Sequence, residues 1–205
     1  MAVGPATGEF APIDLWERAP AADGVHVSRA KAPRLVVALA VVVTVGLLAS
    51  SALATSRSSA RALTTLNRKV LAAINKFRTS NGLAALRESK ALDQAALAHS
   101  REMGLRGYFG HNSADGSPFW KRVEHYYRPQ GYSNWAVGEN LLWVSPAVSA
   151  ARAMQLWIAS PGHLHNLMTA KWRDLGVSAV SVPAAGGVFG GQQVTIITTD
   201  FGVRR

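Results

Sequence analysis

A run of apolar residues from Leu35 to Leu48, continued by small residues to Ala54, is the feature that most limits how this chain folds. An α-helix rises about 1.5 Å per residue, so residues 35–54 are long enough as a helix to cross a bilayer. Basic residues at positions 29, 31 and 34 precede the run, which favours an N-terminus inside the cell. The pattern predicts a single N-terminal hydrophobic helix that anchors the protein in the membrane with the remaining chain outside.

The end of the same run permits a second interpretation, a signal peptide. Ala52, Leu53 and Ala54 match the small-x-small pattern at which signal peptides are cut, so cleavage after Ala54 would release a secreted protein. Residues 1–34 are rich in Ala, Gly and Pro without apolar periodicity, which predicts disorder. Residues 55–62 are predicted to form a short polar linker, and residues 63–203 one folded domain. The oligomeric state stays open.

The charge of the chain lies almost entirely on its domain. The whole chain has a net charge of +10, and residues 55–205 carry eighteen of the basic groups against eight acidic ones. A lipid surface or an anionic polymer of the cell envelope fits this charge. Nucleic acid is excluded as a partner, because the chain has an export signal and no nucleic-acid-binding motif. The absence of cysteine excludes disulfides, Cys-bound zinc and a cysteine nucleophile.

Chemically useful side chains concentrate in two turn-rich stretches. Glu139 lies in the segment AVGENLLWV, whose alternation predicts a β-strand with Glu139 on the same face as Val137 and Leu141. A carboxylate on an apolar face is costly to desolvate, so Glu139 needs a metal, imidazole or backbone N–H partner. His111 follows a glycine-rich turn upstream, and His163 follows a Pro-Gly pair downstream. Imidazole and carboxylate together suit a divalent ion or acid–base chemistry.

Helical spacing dominates the first part of the domain and strand-like segments its end. Ser89 is expected to cap one helix, and Pro146 to begin another that ends at Pro161-Gly162 and presents His163 on a turn. Residues 175–182 and 194–199 are apolar and β-branched, with a glycine-rich connection between them. This order of helices and strands predicts an α+β domain.

Several motifs stand in an order that resembles the bacterial branch of the CAP superfamily, also called SCP-like or cysteine-rich secretory, antigen 5 and pathogenesis-related 1. They are GHNSADG at His111, GEN at Glu139, WIASPGHLHN at His163, TTDFG near the end of the chain, and the upstream segment INKFRTSNGLAAL. The resemblance covers roughly residues 63–202. It implies a three-layer α-β-α sandwich, here preceded by the N-terminal hydrophobic helix.

The resemblance also implies a site. Members of this family commonly have a cleft with two histidines and two glutamates, in which the histidines can bind a divalent ion. By position, His111, Glu139 and His163 are the implied ligands for Zn²⁺ or another divalent cation. The second glutamate of the family is replaced by Ser160, which weakens any scheme that needs both an acid and a base.

Four further residues are expected to line the cleft or support its ligands. His165, two residues beyond His163, is expected to hydrogen-bond Glu139 or a backbone carbonyl. The set comprises Ser113, Asn140, Ser160 and His165.

Three functions are compatible with these residues. The favoured one is a non-catalytic extracellular binding or interaction module whose cleft holds a divalent metal or a small apolar ligand. The first alternative is a metal-dependent, peptidase-like hydrolase that acts on envelope or extracellular substrates, with Glu139 as the candidate base. The second is a structural role in which the histidines and Glu139 only fix loops.

Overall fold

The computed structural model describes the backbone of residues 41–205 and the side chains of residues 59–205. The predictions for residues 1–34, and for the beginning of the apolar run, lie outside the described residues. Between residues 41 and 205, no helix is long and apolar enough to cross a membrane. Residues 58–205 form one compact unit, which the following description concerns.

Five α-helices and four strands make up the described chain. The helices are α1 Val41–Ser80, α2 Lys90–Arg106, α3 Phe119–Tyr126, α4 Ala150–Ala159 and α5 Pro161–Met168. The strands are β1 Arg87–Glu88, β2 Trp135–Val144, β3 Asp174–Ala185 and β4 Gln192–Arg204, with a 3₁₀ turn at Gly187–Phe189 between β3 and β4.

The strands form one mixed sheet in the order β1-β3-β4-β2. β4 lies in the middle and pairs antiparallel with both β2 and β3, while β1 pairs parallel with β3. In this register Glu139 of β2 lies opposite Asp200 of β4. The predicted α+β class is confirmed.

Helices cover both faces of the sheet. Alternate residues of the strands, such as Leu142, Val177 and Ile197, pack against apolar residues of α1, α4 and α5. The opposite face packs against α2 and α3. At Gly176 the backbone of α2 comes so close that a Cβ atom would collide with the carbonyl carbon of Leu92.

The pleat of β2 places Glu139 as the alternation predicts. Leu141 and Trp143 join the apolar cluster under α2, and Val137 joins the one under α3, whereas Leu142 and Val144 face the opposite layer. Glu139 therefore lies on the α2–α3 side of the sheet among apolar neighbours.

Three local boundaries differ from the sequence prediction. Residues 55–62, predicted as a linker, are helical within α1, because they contain no Gly or Pro to end a helix. α4 begins at Ala150 rather than at Pro146, since the hydroxyl of Ser149 accepts the backbone N–H of Arg152 (3.2 Å) and caps the helix.

The third difference concerns the segment that carries the histidines. Pro161 does not lead into a turn; it is the first residue of α5, where proline costs nothing because that N–H has no helical partner. His163 and His165 are therefore helical residues, and the helix fixes the direction in which each side chain leaves the backbone.

Candidate functional site

A buried carboxylate forms the base of the site. Glu139 is only 3% exposed, and both of its oxygens are engaged by neighbouring side chains. Nδ1 of His111 donates to Oε1 at 2.8 Å, and Nη2 of Arg122 donates to Oε2 at 2.5 Å. Glu139 therefore has the partners that its burial demands, and they are an imidazole and a guanidinium.

Arg122 of α3 also fixes the loop that carries His111. Its Nη1 donates to the hydroxyl of Ser113 (2.9 Å), and both terminal nitrogens contact the carbonyl oxygen of His111 (3.3 Å). The Arg122 side chain is 8% exposed. One guanidinium thus connects β2, α3 and the loop at residues 111–113.

These partners decide the ionisation of Glu139. Burial acts to raise the pKa of this carboxyl, but the hydrogen bond from His111 and then the charges of His99 and Arg122 hold the pKa below its ordinary value. Glu139 is therefore a carboxylate at neutral pH.

Asp200 is a second buried carboxyl beside the first. It is fully buried opposite Glu139, and neither of its side-chain oxygens has a hydrogen-bond partner within the part of the chain that the structure describes. Burial, and then the charge of Glu139, raise the pKa of Asp200 well above its ordinary value. The two carboxyls differ because Arg122 and His111 bond to Glu139 alone.

The two predicted histidines differ in exposure. The His111 side chain is 39% exposed, and its ring is tilted against Phe119 at 6.3 Å between centroids. His163 is half-buried on α5. Burial, and to a lesser extent the charge of His111, lower the pKa of His163 to about 4, so its imidazole is neutral at physiological pH.

A third histidine lies beneath the site. His99 of α2 is fully buried and donates from Nε2 to the carbonyl of Gly110 (2.9 Å), with the same nitrogen 4.0 Å from Oε1 of Glu139. Burial lowers the pKa of His99. This hydrogen bond stabilises the turn that precedes His111, so the role of His99 is structural.

Asn140 holds the backbone beside His163. Its Nδ2 donates to the carbonyl of His163 (3.1 Å), and its Oδ1 accepts from Nδ2 of Asn166 (2.9 Å). Asn166 also donates to the carbonyl of Glu139 (2.9 Å). Two asparagines thus connect α5 to β2 and fix the backbone of His163 beside the strand that carries Glu139.

Two other predicted residues lie further from Glu139. His165 is exposed, whereas Glu139 is buried, and the residue of α5 that bonds to Glu139 is Asn166. The expected contact of His165 with Glu139 is therefore wrong, because helical spacing turns residue 165 outward. Ser160 lies at the junction of α4 and α5, where its N–H donates to the carbonyl of Trp157 (3.2 Å).

An open cleft adjoins the exposed side of His111. It has a volume of about 730 Å³. Polar and apolar groups contribute about equally to its wall, so its lining suits either a polar ligand or a small apolar one. Its lining includes Arg106, Tyr108, His111, Asn112 and Ser113.

A divalent ion fits this geometry only in part. Within residues 59–205 no group of three or more His, Asp or Glu side chains is arranged to hold a metal ion. Glu139 is occupied, yet a carboxylate that accepts Nδ1–H of a histidine is the usual arrangement behind a metal-ligating imidazole. His111 through Nε2 and the neutral His163 are the donors that would hold an ion, with Glu139 behind them.

The sequence did not reveal the roles of Arg122, Asn166 and Asp200, whereas its helical pattern does place His99 at the core, as the structure shows. For Arg122 a signal existed, because a buried carboxylate requires a cationic or N–H partner and α3 supplies a basic residue near the loop. Asn166 follows the histidines at helical spacing and could have been inferred once residues 161–168 were assigned to a helix. The position of Asp200 depends on strand register, which the sequence does not specify.

Comparison with known proteins gives a consistent result. A model of the family described as "CAP: Cysteine-rich secretory protein family" matches residues 71–196. The chain is 28% identical over 127 residues to an uncharacterized protein, YkwD, of Bacillus subtilis, covering 62% of this chain and 47% of that protein. It is 29% identical over 115 residues to an uncharacterized membrane protein, YlbC, of the same organism, covering 56% and 31%. The chain thus spans less than half the length of either relative.

Two solved structures share the fold. One is an extracellular protein containing an SCP domain from Bacillus anthracis, with a TM-score of 0.53 and 23% identity, covering 69% of this chain and 41% of that one. The other is an outer surface protein of Borrelia burgdorferi, with a TM-score of 0.54 and 18% identity, covering 66% and 90%.

Proposed function

Because this chain belongs to the CAP family of cysteine-rich secretory proteins, we propose that it is an extracytoplasmic, non-catalytic binding module whose ligand site is formed by His111 and His163 together with the cleft that His111 lines. The proposed location agrees with the apolar run at residues 35–54. It also agrees with two proteins of similar fold, of which one is an extracellular protein and the other an outer surface protein.

The observation that carries the proposal is the full engagement of Glu139. A general base must have an oxygen within reach of the proton that it removes. Here Arg122 and His111 occupy one oxygen each, at 2.5 and 2.8 Å, and the carboxylate is almost entirely buried. Its lowered pKa also makes it a weaker base than an ordinary glutamate. This arrangement suits a residue that orients His111 better than one that transfers protons.

Two imidazoles supply polar groups for binding, and one of them, that of His111, also lines the cleft. His163 is neutral at physiological pH because burial disfavours its charged form, and His111 is oriented by Glu139. Neutral imidazoles are ligands for zinc and similar ions, and the remaining coordination positions would belong to water or to a bound polar molecule. We therefore propose a divalent ion, held by His111 and His163, as part of the binding site.

Zinc titration by isothermal calorimetry tests the proposed site. The intact chain should bind about one equivalent of zinc, and His111→Ala and His163→Ala should each weaken binding by at least about tenfold. His165→Ala is the matched control, because His165 is exposed on the same helix two residues away. It should bind zinc like the parent.

The same experiment separates the three functions. Zinc binding that persists in both His111→Ala and His163→Ala would refute the proposed site. If the parent binds no zinc and the two variants are only less stable, the structural role is favoured. If zinc binds as proposed, the hydrolase alternative requires metal-dependent turnover of peptide or envelope substrates that His163→Ala abolishes. The binding module is expected to show no such turnover.

A further inference from the structure

The acidic residues of the domain are absent from one of its two helical layers, whereas basic residues occur in both. The segments that form α1, α4 and α5 and their connections carry no acidic residue from position 58 to 87 or from 140 to 173. All eight acidic groups of the domain lie on the sheet, on α2 and α3, or in their loops. The charged side chains of the α1–α4–α5 layer are therefore all basic.

Most of the basic side chains of this layer lie at its surface. Arg78 is an exception, because its guanidinium is buried and donates to the carbonyls of Ala84, Leu167 and Thr169, where it stabilises the fold. The remaining side chains are available to a negatively charged surface. The exposed basic residues of the layer are Arg61, Arg68, Lys69, Lys76, Arg152 and Lys171.

Two apolar side chains are exposed on this layer, as others are elsewhere on the domain. Ile158 of α4 is 38% exposed and Met168 of α5 is 37% exposed, although both helices turn their other apolar residues into the core. Basic groups with scattered apolar side chains are the composition of protein surfaces that lie on an anionic bilayer.

The sequence places this layer next to a membrane. α1 contains the end of the apolar run that is predicted to anchor the chain, so the layer is continuous in sequence with the predicted anchor, and this link raises the local concentration of lipid at the layer. Charge complementarity and this continuity favour lipid over other anionic partners.

We propose that the α1–α4–α5 layer docks the domain on anionic phospholipid, with the basic side chains at the headgroups and Ile158 and Met168 at the boundary of the acyl region. The inference rests on the proposed extracytoplasmic location but does not use the cleft. Failure of zinc binding therefore leaves it intact, and its own failure leaves the cleft intact.

Lysine labelling of the full chain tests this proposal, because the lysines divide between the two layers. Lys69, Lys76 and Lys171 belong to the docking layer, whereas Lys90 of α2 and Lys121 of α3 are exposed on the other. The chain is mixed with, or reconstituted into, lipid nanodiscs of phosphatidylcholine alone or with about one third phosphatidylglycerol. Acetylation rates at each lysine are then read by mass spectrometry.

Docking predicts slower acetylation at the three lysines of the layer in anionic discs, and unchanged rates at Lys90 and Lys121. Neutral discs, or anionic discs with about 0.5 M salt, should give no protection because the attraction is electrostatic. A variant with Arg68→Gln and Lys76→Gln should lower the protection of Lys171 by on the order of tenfold, since each basic group near the surface contributes separately. The matched control is Lys90→Gln with Lys121→Gln, which should keep it.

Three outcomes would overturn the proposal. The first is equal protection of Lys90 and Lys121, and the second is protection in neutral discs that salt does not remove. The third is absence of protection in anionic discs, including the case in which a soluble polyphosphate protects the layer instead.

Discussion

Replacing Arg122 by leucine should lower the free energy of unfolding by about 3–5 kcal/mol at neutral pH, the usual cost of removing one partner from a buried ion pair. The side chain of Arg122 is 8% exposed and that of Glu139 is fully buried, so the substitution leaves a buried carboxylate whose remaining strong donor is His111. Urea denaturation followed by circular dichroism measures the loss.

The pH dependence of this loss identifies its cause. The folded-state pKa of Glu139 is lowered, so the stabilisation from its ionised form is present above the unfolded pKa, about 4.3, and is lost as pH falls through the lower folded value. The difference between parent and Arg122→Leu should therefore narrow in acid.

Two variants control for this interpretation. Arg122→Leu combined with Glu139→Gln should recover part of the stability, because no charge is then left buried without its partner. Arg106→Leu, an exposed position at the end of α2, should change stability by less than about 0.5 kcal/mol. A loss below about 1 kcal/mol at Arg122, with no dependence on pH, would contradict the role assigned to this guanidinium.

Replacing Asp200 by asparagine should stabilise the protein by about 1–3 kcal/mol at neutral pH. This is the usual free-energy cost of a buried polar group without partners, and the substitution is expected to remove it. The Asp200 carboxyl is fully buried beside the charge of Glu139, and both of its oxygens lack hydrogen bonds within residues 59–205. An amide has nearly the same shape and no charge, and its N–H can donate to a neighbouring carboxylate.

The sign of the pH dependence follows from the raised pKa. An aspartate whose folded pKa is raised stabilises the fold fully below its unfolded pKa, about 3.9, and loses that contribution as pH rises through the folded value. The advantage of Asp200→Asn should thus be small near pH 4 and grow as the pH increases. Thermal unfolding across this range measures the advantage.

Asp115→Asn serves as the comparison for Asp200, because Asp115 is exposed in the loop after His111. It should show no advantage that grows with pH. If Asp200→Asn is instead destabilising at every pH, the carboxyl of Asp200 has a partner that holds it ionised, and the description of the buried pair is incorrect.

The sequence predicts that Glu139 is a buried carboxylate in need of a partner, but it does not predict which residues surround it. Alternation along β2 is a local property, so it correctly places Glu139 on an apolar face and implies that the carboxylate needs a partner. The identity of that partner depends on how α3 packs over β2, which no local pattern specifies. Arg122 and Asp200 therefore appear only when the fold brings three separate segments together.

The conformation of the segment that carries His163 and His165 is also not determined by local sequence. Pro161-Gly162 contains residues that often end helices, but proline also begins them, and the sequence alone does not decide between these uses. The choice has consequences, because a helix at residues 161–168 turns Asn166 toward β2 and His165 toward solvent. The spacing of two histidines is informative only once the backbone between them is known.

The division of charge between the layers is, by contrast, present in the sequence. The two long stretches without acidic residues can be counted directly, yet they become one surface only because α1, α4 and α5 pack on the same side of the sheet. The topology of the fold therefore brings two segments without acidic residues together into one positively charged surface.

A zinc titration of Glu139→Gln beside the parent tests the central claim most directly, because it distinguishes a carboxylate that orients His111 from one that binds the ion. Circular dichroism must first show that the variant is folded. We predict one equivalent of zinc in both proteins, with affinity about 10–100-fold weaker in Glu139→Gln. A folded Glu139→Gln that binds no zinc while the parent binds one equivalent would make Glu139 a direct ligand and contradict the account.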